Sequence, residues 1–460
     1  MADKKKNNRI DVVIPAYNAH KSILRTLSSL ASQSILDDID VTIVNDADPK
    51  GDYQEYVKMF SPYMSIREIV MTKNGGPGVA RDIGIWAGKN QFFTCIDADD
   101  TFADSQSLEL LRAGITEQPN IQACFGTFSQ IEHHPETKQL MYVPHPNDCV
   151  WMFGKLYKRE LFERYKIHFT TARANEDTGL NTTVRLLCDN PNEQIKWIND
   201  LNFYFWHYKE DSITRINESQ YSYDQSFCGW TDSMIYAYKF VKSIRGFSQA
   251  ADEWGLNCLF NLYFYLIETK GRDNGKFFYD QNWEFTKKYY HEVYSQLKDR
   301  VTEKMFTDFY SMAAAGSYGS QKLIGILPHM TISQFLEKLE EEEYDPNDIF
   351  KVWKRMHDER PDLIENDEHC GVVPVGYWKN GINTHMTIDY HEYLTDDQIK
   401  EYALPEITNK IEFNTSNTES SDSCDDHDND EESMADHKSE DETSVWDDSA
   451  NDTENNVVDF

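Results

Sequence analysis

Asn74-Gly75-Gly76-Pro77-Gly78-Val79-Ala80-Arg81-Asp82-Ile83-Gly84-Ile85-Trp86-Ala87-Gly88-Lys89-Asn90-Gln91-Phe92-Phe93-Thr94-Cys95-Ile96-Asp97-Ala98-Asp99-Asp100 is the stretch on which the reading of the whole chain turns. A glycine-rich turn opens onto a segment where Val79, Ile83 and Trp86 recur at near-helical spacing, with Ala80 and Ala87 keeping that face close-packed. After Gly88 the period changes, and Gln91 to Ile96 is an apolar run suited to a strand buried on both faces. The strand runs out on Asp97-Ala98-Asp99-Asp100, where open α/β sheets bind their ligands. Carboxylates so close together repel unless a cation joins them, and hard oxygen ligands suit Mg²⁺ or Mn²⁺. An isolated D-x-D is also a common surface turn, so its meaning depends on the rest of the chain.

Upstream, Ile10 to Ile14 is a β-branched run ended by Pro15, and Ala19 to Gln33 carries Ile23, Leu27, Leu30 and Ala31 at helical spacing. Val41 to Val44 reads as a second strand closing on the carboxylate-rich turn Asn45-Asp46-Ala47-Asp48. A helix over 52–60 and a strand over 66–70 follow, so strands and helices alternate at the pitch of right-handed crossovers. This predicts an α/β fold with a mostly parallel sheet and helices on both faces. Downstream, 105–118 and 159–165 read as helices and 121–131, 153–157 and 202–208 as strands. Residues 132–150, with three histidines and three prolines, read as a loop-rich insertion whose histidine spacing matches no closed zinc site. Glu176-Asp177 opens a helix reaching Cys188.

From about Ser219 the pattern becomes helical and aromatic-rich, and Tyr263, Phe264, Tyr265, Phe277, Phe278 and Tyr279 read as bundle core in preference to a sugar groove. The expected division is a nucleotide-binding domain at 1–215, an α-helical domain at 216–345, an irregular extension at 346–413 containing a short helix at 396–402, and an acidic tail at 414–460. The tail holds too few apolar residues to offset the entropy of ordering and is expected to be disordered.

The 460 residues carry a net charge of -34, half of it from residues 411–460, where 18 acids face one lysine. The body is only mildly acidic, which argues against a broad nucleic-acid surface. Eight cysteines are scattered with no C-x-x-C pair, and no run of 18 apolar residues occurs. These features predict a cytoplasmic protein of a reducing compartment.

In this order the motifs resemble the family 2 glycosyltransferases, inverting enzymes of GT-A fold that use nucleoside-diphosphate sugars. The resemblance spans roughly residues 9–215 and rests on Val13-Ile14-Pro15-Ala16-Tyr17-Asn18, Val44-Asn45-Asp46, the Asn74 to Gly84 segment, Asp97-Ala98-Asp99-Asp100, and Gly154-Lys155-Leu156-Tyr157-Lys158-Arg159 followed by Glu176-Asp177. It implies that Pro15, Ala16 and Tyr17 border the nucleobase and that Asp46 accepts a hydrogen bond from it, as uracil N3–H would give. It further implies that Asn18, Asn74, Gly76, Arg81 and Ala98 complete the nucleotide side, and that Asp97 lies near the ribose and donor sugar. Asp99 would bind the Mn²⁺ or Mg²⁺ that bridges the phosphates, with Asp97 beside it. Asp177 would be the general base, with Glu176 touching acceptor or donor.

Three positions depart from the family pattern. Asn45 replaces the first aspartate of a V-D-D strand end, and Asp82 replaces an asparagine after Arg81. The family's arginine and serine beside the diphosphate fall here on His207 and Ser212, which leaves His207 either a metal or phosphate contact or a structural histidine between Trp206 and Tyr208. The implied partners are a UDP-sugar donor and a hydroxyl acceptor, a glycan foremost, with a modified nucleobase left open. The helical domain is expected to shape the acceptor side or a homo-oligomer contact. Two rival readings are a nucleotidyltransferase, whose Arg- and Lys-bearing glycine-rich loop Pro15 to His20 does not supply, and a catalytically inactive binding module recruiting partners through its acidic tail.

Overall fold

A computed structural model describes residues 8–134, 136–172, 174–208, 220–270, 275–302, 304–305, 332–359 and 387–406. Ser212, the Gly371 to Gly376 run, most of the 300–315 segment and the acidic tail lie outside the described residues.

Strand β1 (Ile10–Ala16) is the centre of the first half, and its continuous apolar sequence is buried almost throughout. It pairs in parallel with β2 (Ile39–Asn45) on one side and β4 (Phe92–Cys95) on the other, and β3 (Ser65–Val70) extends the parallel group beyond β2. Val12 and Ile14 pack with Leu27 and Leu30 of helix α1 (Ile23–Ala31), while Val13 packs with Ile83 of α3 (Pro77–Ala87). Two-sided burial is why this strand reads as an unbroken hydrophobic run. Gly84 lets α3 come close: a β-carbon there would sit 2.3 Å from Val13 Cγ1. Helix α2 (Gln54–Phe60) connects β2 to β3.

The sheet is mixed. Beyond β4 it continues through β8 (Lys155–Lys158), β6 (Ala123–His133), β9 (Ile195–Trp206) and β5 (Thr101–Phe102), with β7 (Leu140–His145) on β6. Strand β8 runs antiparallel to both β4 and β6, and β9 runs parallel to β6 with a bulge at Gly126–Thr127. The segment expected to be a loop at 132–150 is largely a hairpin, since β6 runs to His133 and β7 pairs back from Leu140. Exposed Leu140, Tyr142 and Pro144 alternate with half-buried Met141, Val143 and His145. An edge strand of this kind tolerates proline. Helices α4 (Ser107–Thr116), α5 (Arg159–Tyr165), α6 (Glu176–Leu187) and the short α7 (Pro191–Gln194) complete this half.

Helices α8 (Gln220–Arg245), α9 (Gln249–Lys270) and α10 (Gly275–Glu292), with Ile332–Glu341 and Pro346–Glu359, surround a second apolar core that includes Met234, Leu259, Phe260, Trp283, Phe335 and Ile349. Tyr263 lies in this core against Phe335, 5.0 Å between ring centroids. Tyr236, Phe240 and Val241 of α8 instead join Leu180 and Val184 of α6 in the core of the sheet half. The chain at 346–359 is helical, not irregular, and residues 387–406 return to the sheet half, where Ile388, Tyr390, Tyr393 and Leu394 are buried. Among the described residues no helix is long and apolar enough to cross a membrane.

Candidate active site

The chain leaves β1 for β2 and β3 on one side, then returns to β4 on the other. The carboxyl ends of β1 and β4 therefore flank a topological switch point, the place where open α/β sheets form a ligand crevice. Asp46, just past β2, donates its N–H to Ala16 O at 2.9 Å and joins the ends of β1 and β2. Its carboxylate accepts from Gly75 N–H at 2.6 Å and Gly76 N–H at 2.9 Å, and Asn74 Nδ2 donates to its carbonyl at 3.2 Å. Gly76 holds φ +86°, a conformation that strains residues with a β-carbon, and Pro77 then starts α3. Asp46 thus organises the glycine turn itself, and its carboxylate is buried in doing so.

Pro15 and Ala16 end β1, and Tyr17 follows them exposed. Asn18, at φ +53°, donates its N–H to Asp48 Oδ2 at 2.7 Å. Asp48 also accepts from Tyr53 Oη and from Lys50 N–H, and His20 stacks on Tyr53 with centroids 4.4 Å apart. Burial alone would raise the Asp48 pKa, but these hydrogen bonds outweigh it and hold the carboxyl below its ordinary range. Asp48, His20 and Tyr53 were not singled out as site residues from sequence. Their available signal was the density of carboxylates in the turn after β2.

Arg81, one turn into α3, connects the two acidic motifs. Its Nη2 lies 2.7 Å from Asp97 Oδ1 and its Nη1 2.5 Å from Glu176 Oε1. Gly78 makes room for this, because a β-carbon there would meet Glu176 Cγ at 2.8 Å. Glu176 and Asp177 begin α6 behind Asn175, which holds a left-handed φ of +59°. Both carboxylates are buried. Burial first, and the neighbouring Glu176 second, push the Asp177 carboxyl up to about 8 against the pull of Arg81. Burial also raises Glu176, opposed chiefly by Arg81. Arg81 Nε is buried with no hydrogen-bond partner in the protein.

After β4, Asp97 and Asp99 are half-buried with Ala98 buried between them, and Asp100 is fully buried. Asp100 accepts from Tyr204 Oη at 2.7 Å and from His207 N–H at 2.8 Å, which ties the end of β4 to the end of β9. Burial, then repulsion from Asp99 and Asp97, raises its pKa well above the ordinary carboxylate range. His207 Nε2 lies 2.9 Å from Thr101 Oγ1, and burial, with Arg25 second, lowers its pKa to about 4, so the imidazole is neutral near pH 7. Among the described residues no group of three or more His, Cys, Asp and Glu side chains is arranged to hold a metal. That donor set does not form a closed protein cage.

Two of the departures from the family pattern have structural partners. Asn45 Nδ2 donates to Glu68 Oε1 at 3.0 Å and to Gly51 O at 3.1 Å, while its Oδ1 accepts from Asp48 N–H at 2.8 Å. An aspartate there would face Glu68 with like charge. Asp82 accepts from Phe169 N–H at 2.7 Å and Tyr390 Oη at 2.6 Å, with His168 Nδ1 at 3.1 Å.

Residues 11–174 match the family model described as glycosyl transferase family 2. An uncharacterized glycosyltransferase, EpsJ of Bacillus subtilis, is 25% identical over 225 residues, which are 45% of this chain and 63% of that protein. A poly(ribitol-phosphate) beta-glucosyltransferase of Bacillus spizizenii is 27% identical over 180 residues, 37% of this chain and 28% of that protein. Among solved structures, S. aureus TarS residues 1–349 in complex with UDP-GlcNAc overlays with a TM-score of 0.45 at 18% identity, covering 54% of this chain and 70% of that one. The chain spans less than two thirds of the length of EpsJ, so the activity of the whole protein is a matter of proposal. Glu176 and Asp177 lie just beyond the matched segment. Residues 11–174, which carry the glycine turn, Arg81 and Asp97 to Asp100, are thus similar to glycosyl transferase family 2.

Proposed function

We propose that this protein is an inverting glycosyltransferase that moves a sugar from a nucleoside-diphosphate sugar, a UDP-sugar foremost, to an acceptor hydroxyl. The observation that carries the reading is Arg81 spanning Asp97 and Glu176, which draws the acidic strand end and the Glu176-Asp177 pair to one place. In this reading Asp177 takes the proton from the acceptor hydroxyl as that oxygen attacks the anomeric carbon. The bond to the diphosphate oxygen breaks with its electron pair leaving on the diphosphate, and a single displacement inverts the anomeric centre. A divalent cation held by Asp99, with Asp97 beside it, supplies Lewis-acid stabilisation of the leaving diphosphate when bound.

Arg81 holds two carboxylates apart in register, and its unpartnered Nε is a donor that a bound substrate oxygen or water would satisfy. Tyr17 offers an exposed ring beside the turn where the base would lie. Helix α8 docks on α6, which begins with Glu176 and Asp177, and so borders the acceptor side. A polymer or glycan hydroxyl is the acceptor class favoured by the relatives' names. The six described cysteines are free thiols.

The test is a panel of UDP-, GDP- and dTDP-sugars with Mn²⁺, reading donor turnover and, where transfer occurs, the anomeric configuration of the product by NMR. Turnover with inversion is expected. Absence of turnover together with absence of nucleotide binding would overturn the transferase and favour a binding module.

A further inference from the structure

Residues 387–406 lie outside the family-matched segment, yet they return to the same sheet edge that carries the glycine turn. Thr72 donates its N–H to Tyr393 O at 2.8 Å, and Gln398 Nε2 donates to Val70 O at 2.8 Å. Lys73 pairs with Glu392 at 2.7 Å and stands 4.8 Å from the Tyr393 ring centroid. A capping box between Thr395 and Gln398 starts the short helix that completes the segment. These contacts cover β3, the edge of the parallel group.

Two contacts go further than covering an edge. The buried Tyr393 ring lies directly on Gly75, where a β-carbon would meet its Cε1 at 2.9 Å. Gly75 is one of the two residues whose N–H groups hold the Asp46 carboxylate. Tyr390, also buried, donates to Asp82 Oδ1 at 2.6 Å, and Asp82 is the neighbour of Arg81 on α3. Through the same carboxylate Tyr390 is linked to Phe169 N–H and His168, and His168 stacks on Trp86 of α3 with centroids 4.5 Å apart. The ring of one tyrosine thus backs the turn, and the hydroxyl of the other anchors the helix that follows it.

We propose that Tyr393 and Tyr390 are positioning residues of the donor-nucleotide site, so that a segment more than 200 residues beyond the family match completes the pocket the match begins. Tyr393 keeps the Gly75–Gly76 peptides aimed at Asp46, and Tyr390, through Asp82, sets the rotation of the α3 turn that carries Arg81. The inference rests on the transferase reading and deepens its donor side.

The test uses the full-length chain with Tyr393→Ala and Tyr393→Phe, titrated with UDP and Mn²⁺ by calorimetry and assayed for donor KM and kcat. Displacing a positioning group in this way is expected to raise the UDP Kd and donor KM about tenfold with kcat changed less than about twofold, and Tyr393→Phe, which keeps the ring, recovers both. A drop in Tm with Kd and KM unchanged overturns the proposal and leaves the segment as edge cover alone. Should Tyr393→Ala fail to fold, Tyr390→Phe removes one hydroxyl while keeping the ring. An about threefold rise in donor KM supports the proposal there, and an unchanged KM overturns it. If the unmodified chain binds no UDP, GDP or dTDP, the transferase reading falls and this inference with it. Equal binding by the unmodified chain and the variants overturns the inference alone.

Discussion

Arg81 and Glu176 are 95 residues apart in sequence and 2.5 Å apart in space, both almost wholly buried. Removing one member of a buried ion pair leaves the other charge unpaired in a low-dielectric setting, whereas removing both does not. Arg81→Gln is expected to cost about 3–5 kcal/mol of stability by urea denaturation. Arg81→Gln combined with Glu176→Gln should recover part of that loss. Arg81→Lys is expected to behave like the glutamine variant in activity, because a single ammonium does not reproduce the fork that reaches Asp97 and Glu176 together.

Asp177→Asn keeps the size of the side chain and removes the proposed base. Donor turnover is expected to fall about 10²- to 10⁴-fold with the UDP Kd unchanged, read by steady-state kinetics beside calorimetry. Equal losses in both would place Asp177 in nucleotide binding instead.

With its carboxyl pushed up to about 8, Asp177 is mostly protonated at neutral pH and gains its basic form as pH rises. The rate is therefore expected to climb with pH through about 8. Stability moves the other way. The folded protein keeps a proton that the unfolded chain has already released above the ordinary carboxylate pKa of 3.8, so this group's contribution falls as pH rises from there to about 8 and then levels. Denaturation curves across that window check the slope, which Asp177→Asn should flatten.

In the proposed reading Asp99 holds the cation. Asp99→Asn is expected to lower kcat about 10²-fold, to weaken Mn²⁺ binding in the presence of UDP, and to leave Tm close to the parent, as read by calorimetry and thermal melting. Chelation of divalent ions should reduce the parent enzyme to the level of the variant.

Asn45→Asp would restore the family's residue and is nonetheless expected to destabilise the fold. It replaces the amide donor 3.0 Å from Glu68 Oε1 with a second carboxylate. A loss of about 1–3 kcal/mol is expected, measured by urea denaturation near pH 7. Asn45→Asp with Glu68→Gln should regain most of it.

Local pattern carried a large part of this protein. The unbroken apolar run of β1, the helical spacing of Val79, Ile83 and Trp86, and the strand ending on Asp97 all follow from residues close together in the chain, because strand and helix periods repeat over a few positions. The motif order from Pro15 to Asp177 led to the family for the same reason. The hairpin at β6–β7 was obscured by Pro144 and by histidines, since an edge strand lacks the strict apolar alternation of a covered one.

Tertiary structure decided what those motifs do to one another. Nothing near Asp82 in sequence announces Tyr390, 308 residues away, and nothing near Asn45 announces Glu68. The same holds for Arg81, which a linear reading assigns to the nucleotide and the fold places between two acidic motifs. Hydrogen bonds and ion pairs between distant segments depend on where crossovers bring the chain back. Sequence alone therefore determined which chemical groups are present and which strands and helices carry them. Only the packed sheet determined which carboxylate meets which cation, because that choice is made by burial in a shared core and not by neighbours along the backbone.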